Sequence, residues 1–354
     1  YAQVLSKYFP RVLALIADAA LHPNFTGEDM EKEKARIIQS IRANESNAEV
    51  IMKRVRQTLR YSTAHPYGEY ITEAQIATLT LDDVTNYYRK RFVPNNAYLV
   101  VTGDVNPEEV ITLVNEHFAD WQPYSEETPA LYIPENVSET QINFIDLPSA
   151  VQSEIQVTNL IDLKMSHPDY FPLLVANSIL GGDFGSYINM NLREEHGYTY
   201  GAFSTFKTDK WTKGSFSIKT KVGNAVTAPA IREILKEVKR IQTSVVSEEK
   251  LAQAKAQYLG QFVLATERPQ TIANYAINIK VRNLPEDFYK NYIAKINTVT
   301  KEDVQRVTNS YFLLKNFRII IVGKGSDIAD ELKNINFDGK KIPMKEFDSY
   351  GNEK

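Results

Sequence analysis

The sequence contains no cysteine, which excludes disulfides, thiolate metal sites and cysteine nucleophiles together. Compartment is left open, because a cysteine-free chain is equally at home in a reducing or an oxidising one. No apolar run approaches the ~18 residues that a bilayer-crossing helix needs. Runs such as residues 97–101 and 318–323 have the length and composition of buried strands. Neither charge is in excess: 41 Lys and Arg against 44 Asp and Glu give a net charge of −3. Nothing therefore draws nucleic acid or an anionic membrane surface, and membrane insertion is not expected. Histidines are few, and none of His22, His65, His117, His167 and His196 stands three, four or five residues from another. Helix-face metal ligation needs such a spacing, so no metal site is expected within this chain. His22, His65 and His167 each precede proline, which places them in extended or turn conformations and favours reading them as surface or turn histidines. Residues 1–5 lack the charged-then-apolar pattern of an export signal, and any such signal would lie upstream.

What is present is enough apolar material, 43% of the chain, for two cores. An internal similarity supports that division. The stretch from Ile76 aligns without a gap on that from Ile296 at an offset of 220, with Thr80, Asp83, Val84, Phe92, Asn96 and Gly103 recurring as Thr300, Asp303, Val304, Phe312, Asn316 and Gly323. Each copy reads as a helix capped by Thr, with Asp in its first turn, followed by a strand that ends at Gly. Upstream, residues 24–29 and 246–249 each lead into a long helix. The expected architecture is α+β: two homologous domains, each a mixed, mostly antiparallel sheet packed against helices. They would occupy residues 1–126 and 141–354, joined by a Pro-rich polar linker at 127–140. If the offset holds throughout, the first copy begins about 80 residues before Tyr1, and the first domain is incomplete at its N-terminus.

A glycine-rich segment, Gly181-Gly182-Asp183-Phe184-Gly185-Ser186, follows an apolar helix-like stretch. It lacks the Gly-Lys-Ser/Thr ending of a phosphate loop and follows a helix where a phosphate loop follows a strand. Two alternatives stay open: a helix C-cap with left-handed glycines, or a loop that engages a ligand. Beyond it, residues 192–196 look like a helix end, Gly197 suits the C′ position, and the alternation that follows looks like a strand. Arg193 and Tyr200 are thereby brought within reach of one site. Both are donors, a forked cation and a hydroxyl, of the kind that stabilises a developing oxyanion. A surface salt bridge for Arg193 and a core position for Tyr200 would satisfy the same spacing.

Together, the segment from Ile179 to Ser186 and the run Leu192-Arg193-Glu194-x-x-Gly197-x-x-Tyr200 resemble the second domain of the pitrilysin-type zinc peptidases, the family of mitochondrial processing peptidase and insulin-degrading enzyme. Pro23-x-Phe25, His65-Pro66-Tyr67-Gly68, Tyr88-x-x-x-Phe92-x-Pro94-x-Asn96 and Val101-x-Gly103-Asp104 extend the resemblance over nearly the whole chain. It implies one half of a clamshell that closes on an extended peptide. The other half carries zinc on an inverted H-x-x-E-H motif and a distant Glu. Arg193 and Tyr200 have the family's seven-residue spacing and would support the tetrahedral oxyanion, while Gly181, Gly182, Phe184 and Ser186 would engage substrate. The distant metal-binding Glu falls on Ser40, which brings no charge to a metal, and Tyr187 stands where the family often has Arg. The implied protein is therefore a half without its own cofactor. Its expected partners are the peptide substrate and a zinc-bearing homologous half or subunit, or another copy of itself. The alternative is a structural or assembly subunit of the same fold. Exported tandem relatives point to a bacterial envelope.

Overall fold

The computed structural model describes residues 1–125 and 130–354; Glu126 of the expected first domain and residues 127–129 of the expected linker lie outside the described residues. In chain order the helices α1 (Phe9–Leu21), α2 (Gly27–Ala43), α3 (Ala48–Tyr61), α4 (Glu73–Thr78), α5 (Leu81–Arg91) and α6 (Pro107–Phe118) come first. Strands β1 (Gln141–Asp146) and β2 (Gln152–Ile161) follow, then α7 (Tyr170–Asn177) and α8 (Tyr187–Asn189). Next are β3 (Ala202–Lys207), β4 (Gly214–Gly223), α9 (Thr227–Thr243), α10 (Glu248–Thr266), α11 (Pro269–Val281), α12 (Tyr292–Thr298) and α13 (Lys301–Tyr311). The chain closes with β5 (Arg318–Gly323), α14 (Gly325–Leu332), β6 (Asn336–Phe337), β7 (Lys340–Lys341) and β8 (Met344–Phe347). No helix among the described residues is long and apolar enough to cross a membrane.

Two compact units divide these elements. The first comprises Tyr1–Arg42, Ile71–Ala130 and Val263–Asn283 and, among the described residues, is built of helices. Thr80 caps α5 as expected: its Oγ1 accepts from the Asp83 amide at 3.1 Å, and the Asp83 carboxylate accepts from the Thr80 amide at 2.8 Å. This reciprocal pairing satisfies two amides that the helix itself leaves unbonded. Past the helix, Phe92 stacks on Tyr88 and its carbonyl accepts from the Trp121 indole at 3.1 Å. The strand expected at 97–101 does not form. Its backbone starts extended at Ala97, but a strand requires a hydrogen-bonding neighbour, and the described part of this unit offers none; Tyr98 and Leu99 stand exposed.

The second unit, Ala43–Tyr70, Leu131–Phe262 and Leu284–Lys354, holds the mixed sheet that the sequence leads one to expect. Its order is β3-β4-β2-β5-β1-β8, with β1 parallel to β5 and β8 and the other pairs antiparallel. Residues such as Val157, Phe216, Ile218, Ile319 and Ile321 are fully buried on the face that carries α7, α9 and α13. Thr300 caps α13 with the same box that Thr80 makes, and both helices run for 11 residues. They end alike as well, with backbone angles of −91°, 80° at Phe92 and −95°, 83° at Phe312. Their environments differ: Phe312 is fully buried, stacked on Phe216 at 4.0 Å, while Phe92 is 43% exposed.

Helix α3 covers the opposite face of the sheet. Ile51, Met52 and Val55 pack on Ile145, Ile320, Val322 and Phe347, each buried aliphatic side chain contributing about 1.5–3 kcal/mol of transfer free energy. Arg54 fastens the helix to the C-terminal segment, donating to the Ser349 carbonyl at 2.7 Å and lying over the Tyr350 ring. His65 follows in a turn, as the preceding-proline rule predicts, but it is completely buried and not at the surface. The reason is local: its ring packs between Tyr61 and Tyr67, and its Nδ1 accepts from the Tyr67 amide at 3.0 Å.

Candidate substrate-contacting site

The segment between α7 and β3 is shaped by side-chain amides. The apolar residues of α7 lead into a π-helical turn, Ser178–Gly182, that lies against β3, the edge strand of the sheet. A Cβ on Gly181 would come within 2.6 Å of the Ser204 backbone nitrogen, so the turn can approach the strand only because residue 181 has no side chain. Asn177 closes the contact, its Nδ2 donating to the Ser204 carbonyl at 3.2 Å and its Oδ1 accepting from the Ser204 hydroxyl at 2.9 Å. Neither Gly181 nor Gly182 has a positive φ. The left-handed C-cap is thus not what these glycines provide; the helix continues through them with a wider turn because backbone proximity, not chain reversal, is the constraint.

Beyond the turn the loop is tied at several points. The Ser186 hydroxyl is fully buried and donates to the Asp183 carbonyl at 2.6 Å. Asn189 bridges loop and strand, donating to the Phe184 carbonyl at 2.7 Å and accepting from the Ala202 amide at 3.1 Å. Lys250 of α10 donates to the Gly185 carbonyl. These anchors leave Phe184 projecting, 65% exposed, with its ring edge-on to Phe203 of β3 at 5.5 Å. A second π-helical turn, Met190–Glu195, carries Arg193, whose guanidinium lies over the Phe184 ring at 5.5 Å and pairs with Glu194 at 3.3 Å. That turn ends as the sequence indicates: Gly197 adopts φ +65°, and the Tyr198 amide reaches back to the Leu192 carbonyl at 2.8 Å. Tyr200 follows on the strand approach, 94% exposed, and its hydroxyl makes no hydrogen bond to a described residue.

Of the expected site residues, the structure therefore gathers Phe184 and Arg193 with Phe203, places Tyr200 three residues upstream of Phe203, and uses Gly181, Gly182 and Ser186 to fix the loop that presents them. Asn177, Asn189 and Lys250 do as much for that loop and carry no pattern by which sequence could single them out. Among the described residues no group of His, Asp and Glu could hold a metal ion. Ser40 lies on the exposed side of α2.

A family model described as the peptidase M16 inactive domain matches residues 78–258, half of the chain. The chain belongs to that family. The M16 inactive domain resembles the non-catalytic half of M16 peptidases, and zinc proteases are among its relatives. It is 24% identical to an uncharacterised zinc protease of Rickettsia felis, an alignment covering 87% of this chain and 70% of that protein. It is 23% identical to the mitochondrial-processing peptidase subunit beta of Bos taurus, covering 93% of this chain and 68% of that one. The crystal structure of a peptidase M16 inactive domain from Pseudomonas fluorescens superposes with a TM-score of 0.80 at 20% identity, covering 90% of this chain and 77% of that chain.

Proposed function

We propose that this M16 inactive domain is one half of a clamshell peptidase: it grips an extended peptide and presents Arg193 and Tyr200 to the scissile carbonyl, while a homologous half or subunit holds the zinc. The observation that carries this reading is Tyr200, whose hydroxyl stands almost wholly in solvent on a segment that the loop's internal hydrogen bonds hold in place. A large aromatic in that position adds little to folding, whereas a phenol donor held beside a bound carbonyl can stabilise charge that develops on its oxygen. Arg193 has a complementary role. Resting on Phe184, its guanidinium offers forked donors to substrate carbonyl oxygens, and its neighbour Glu194 is a partly exposed counter-charge that a substrate can displace at little cost. The exposed Phe184 ring supplies an apolar contact beside them.

In the assembled enzyme Tyr200→Phe is expected to lower turnover roughly ten- to a thousandfold, by analogy with the loss of an oxyanion donor, and to leave thermal stability unchanged. Steady-state cleavage of a quenched peptide, with a melting curve as control, checks both. Turnover indifferent to Tyr200 and to Arg193 would assign the chain to assembly or scaffolding in place of catalysis.

A further inference from the structure

The face of the sheet beneath α3 changes character along its length. At one end it carries the apolar cluster of Ile320 and Val322, and at the other it is polar and cationic. Cross-strand register sets Lys219 beside Gln156, and Ser217 and Arg318 beside Thr158. Onto this end α3 brings Arg56 and Arg60. Arg56 donates to the Gln156 Oε1 at 2.9 Å, and Arg60 donates to the hydroxyls of Thr158 and Ser217. All these acceptors are neutral. No carboxylate among the described residues forms a salt bridge with Arg56, Arg60 or Lys219. The Nε atoms of both arginines and the Nε2 of Gln156 are buried donors without an acceptor.

Such orphaned donors are rare in folded proteins and call for an explanation. Those of Arg56 and Gln156 adjoin a space. A cavity of about 130 Å³ is lined by Glu49, Met52, Lys53, Arg56, Glu154, Ile155, Gln156 and Lys219. Gln156, only 1% exposed, lines it with its amide nitrogen unsatisfied. The two acids act on Lys219 alone among these cations: Glu154 is also paired with Lys221 at 3.2 Å, and Glu49 is exposed. Burial, reinforced by the neighbouring Arg56, pushes Arg60 down to about 9, and burial lowers Arg56 and Lys219 as well. Burial is the main cause of these shifts, and for Arg56 and Arg60 no carboxylate offsets it.

We infer that this cavity is a binding site for a small oxyanion, a single carboxylate or phosphate group, held by Gln156, Arg56 and Lys219. The volume suits one such group on a short stem, and charge-assisted bonds from a guanidinium and an ammonium match its chemistry. Lys219 is the cross-strand partner of Phe203, which Phe184 meets edge-on, so the cavity adjoins the strand that follows Tyr200; the inference does not depend on the role of Arg193 or Tyr200.

Calorimetric titration of the purified chain with inorganic phosphate and separately with acetate, at ionic strength held constant with chloride, tests the inference. Saturable binding of either anion is expected, and which one binds identifies the class. Gln156→Leu should weaken it by at least about tenfold, the worth of one hydrogen bond to a charged group. Lys219→Met should weaken it as well, with a melting curve to confirm that the variant folds. No saturable binding of either anion by the unmodified protein would overturn the proposal, as would variants that bind like the parent or a crystal grown in the anion that binds with only waters in the cavity.

Discussion

Gly181 and Glu237 illustrate how single residues set the stability of the site's support. The Gly181 turn touches backbone, which cannot swing aside as a flexible side chain could. Gly181→Ala should therefore cost about 1–3 kcal/mol and be seen as a lowered melting temperature, even though alanine ordinarily favours helices. Glu237 of α9 is buried, accepts from Asn191 at 2.9 Å and pairs with Arg240 at 3.3 Å. Burial raises its carboxyl above the ordinary value of 4.5, outweighing the lowering by Asn191 and Arg240. Well below 4.5 the group is protonated in both states; as pH rises, the unfolded chain ionises first, so the stabilisation is lost through the raised folded pKa. The melting temperature of Glu237→Gln relative to the parent should accordingly increase between about pH 4 and about pH 8. A relative decrease would contradict the assignment. The turn at Gly197 that separates Arg193 from Tyr200 was legible because glycine suits a left-handed position, but the asparagines that fix the loop were not, since an amide bonds equally well in a turn, a cap or a core.

At the scale of elements, helix starts were the most legible feature because a cap is written in adjacent residues. Thr80 and Thr300 are both found in reciprocal boxes, and Thr→Ala at either should cost about 1 kcal/mol, measurable by chemical denaturation. The effect on global stability should be clearer at Thr300, whose helix carries the fully buried Val304 and Val307. The π-helical turns and the failure of 97–101 to become a strand escaped sequence reasoning for a shared reason. Both depend on what lies alongside: β3 presses on the first turn, and the extended segment lacks a partner. Periodicity reports a segment's preference and is silent on its neighbours.

Across the whole molecule, β5 was visible as the apolar run at 318–323 and β3 as the alternation after Gly197, whereas β2, β8 and the position of α3 on the sheet were not. That helix belongs by sequence to the stretch before the expected linker, yet its apolar residues are buried on Ile145, Ile320 and Val322. Its arginines face the same surface and leave donors without acceptors, which no pattern of spacing could disclose. An exposed Tyr200 and a seated Arg193 put the proposed division of labour between two halves at the centre of the account. The most direct test measures zinc content and cleavage of a quenched peptide by this chain alone, by a zinc-bearing homologous half alone, and by the two together, with Tyr200→Phe in parallel. The account predicts a metal-free, silent chain, activity raised when the halves are combined, and a loss of that gain in Tyr200→Phe. Stoichiometric zinc and cleavage by the isolated chain would contradict it.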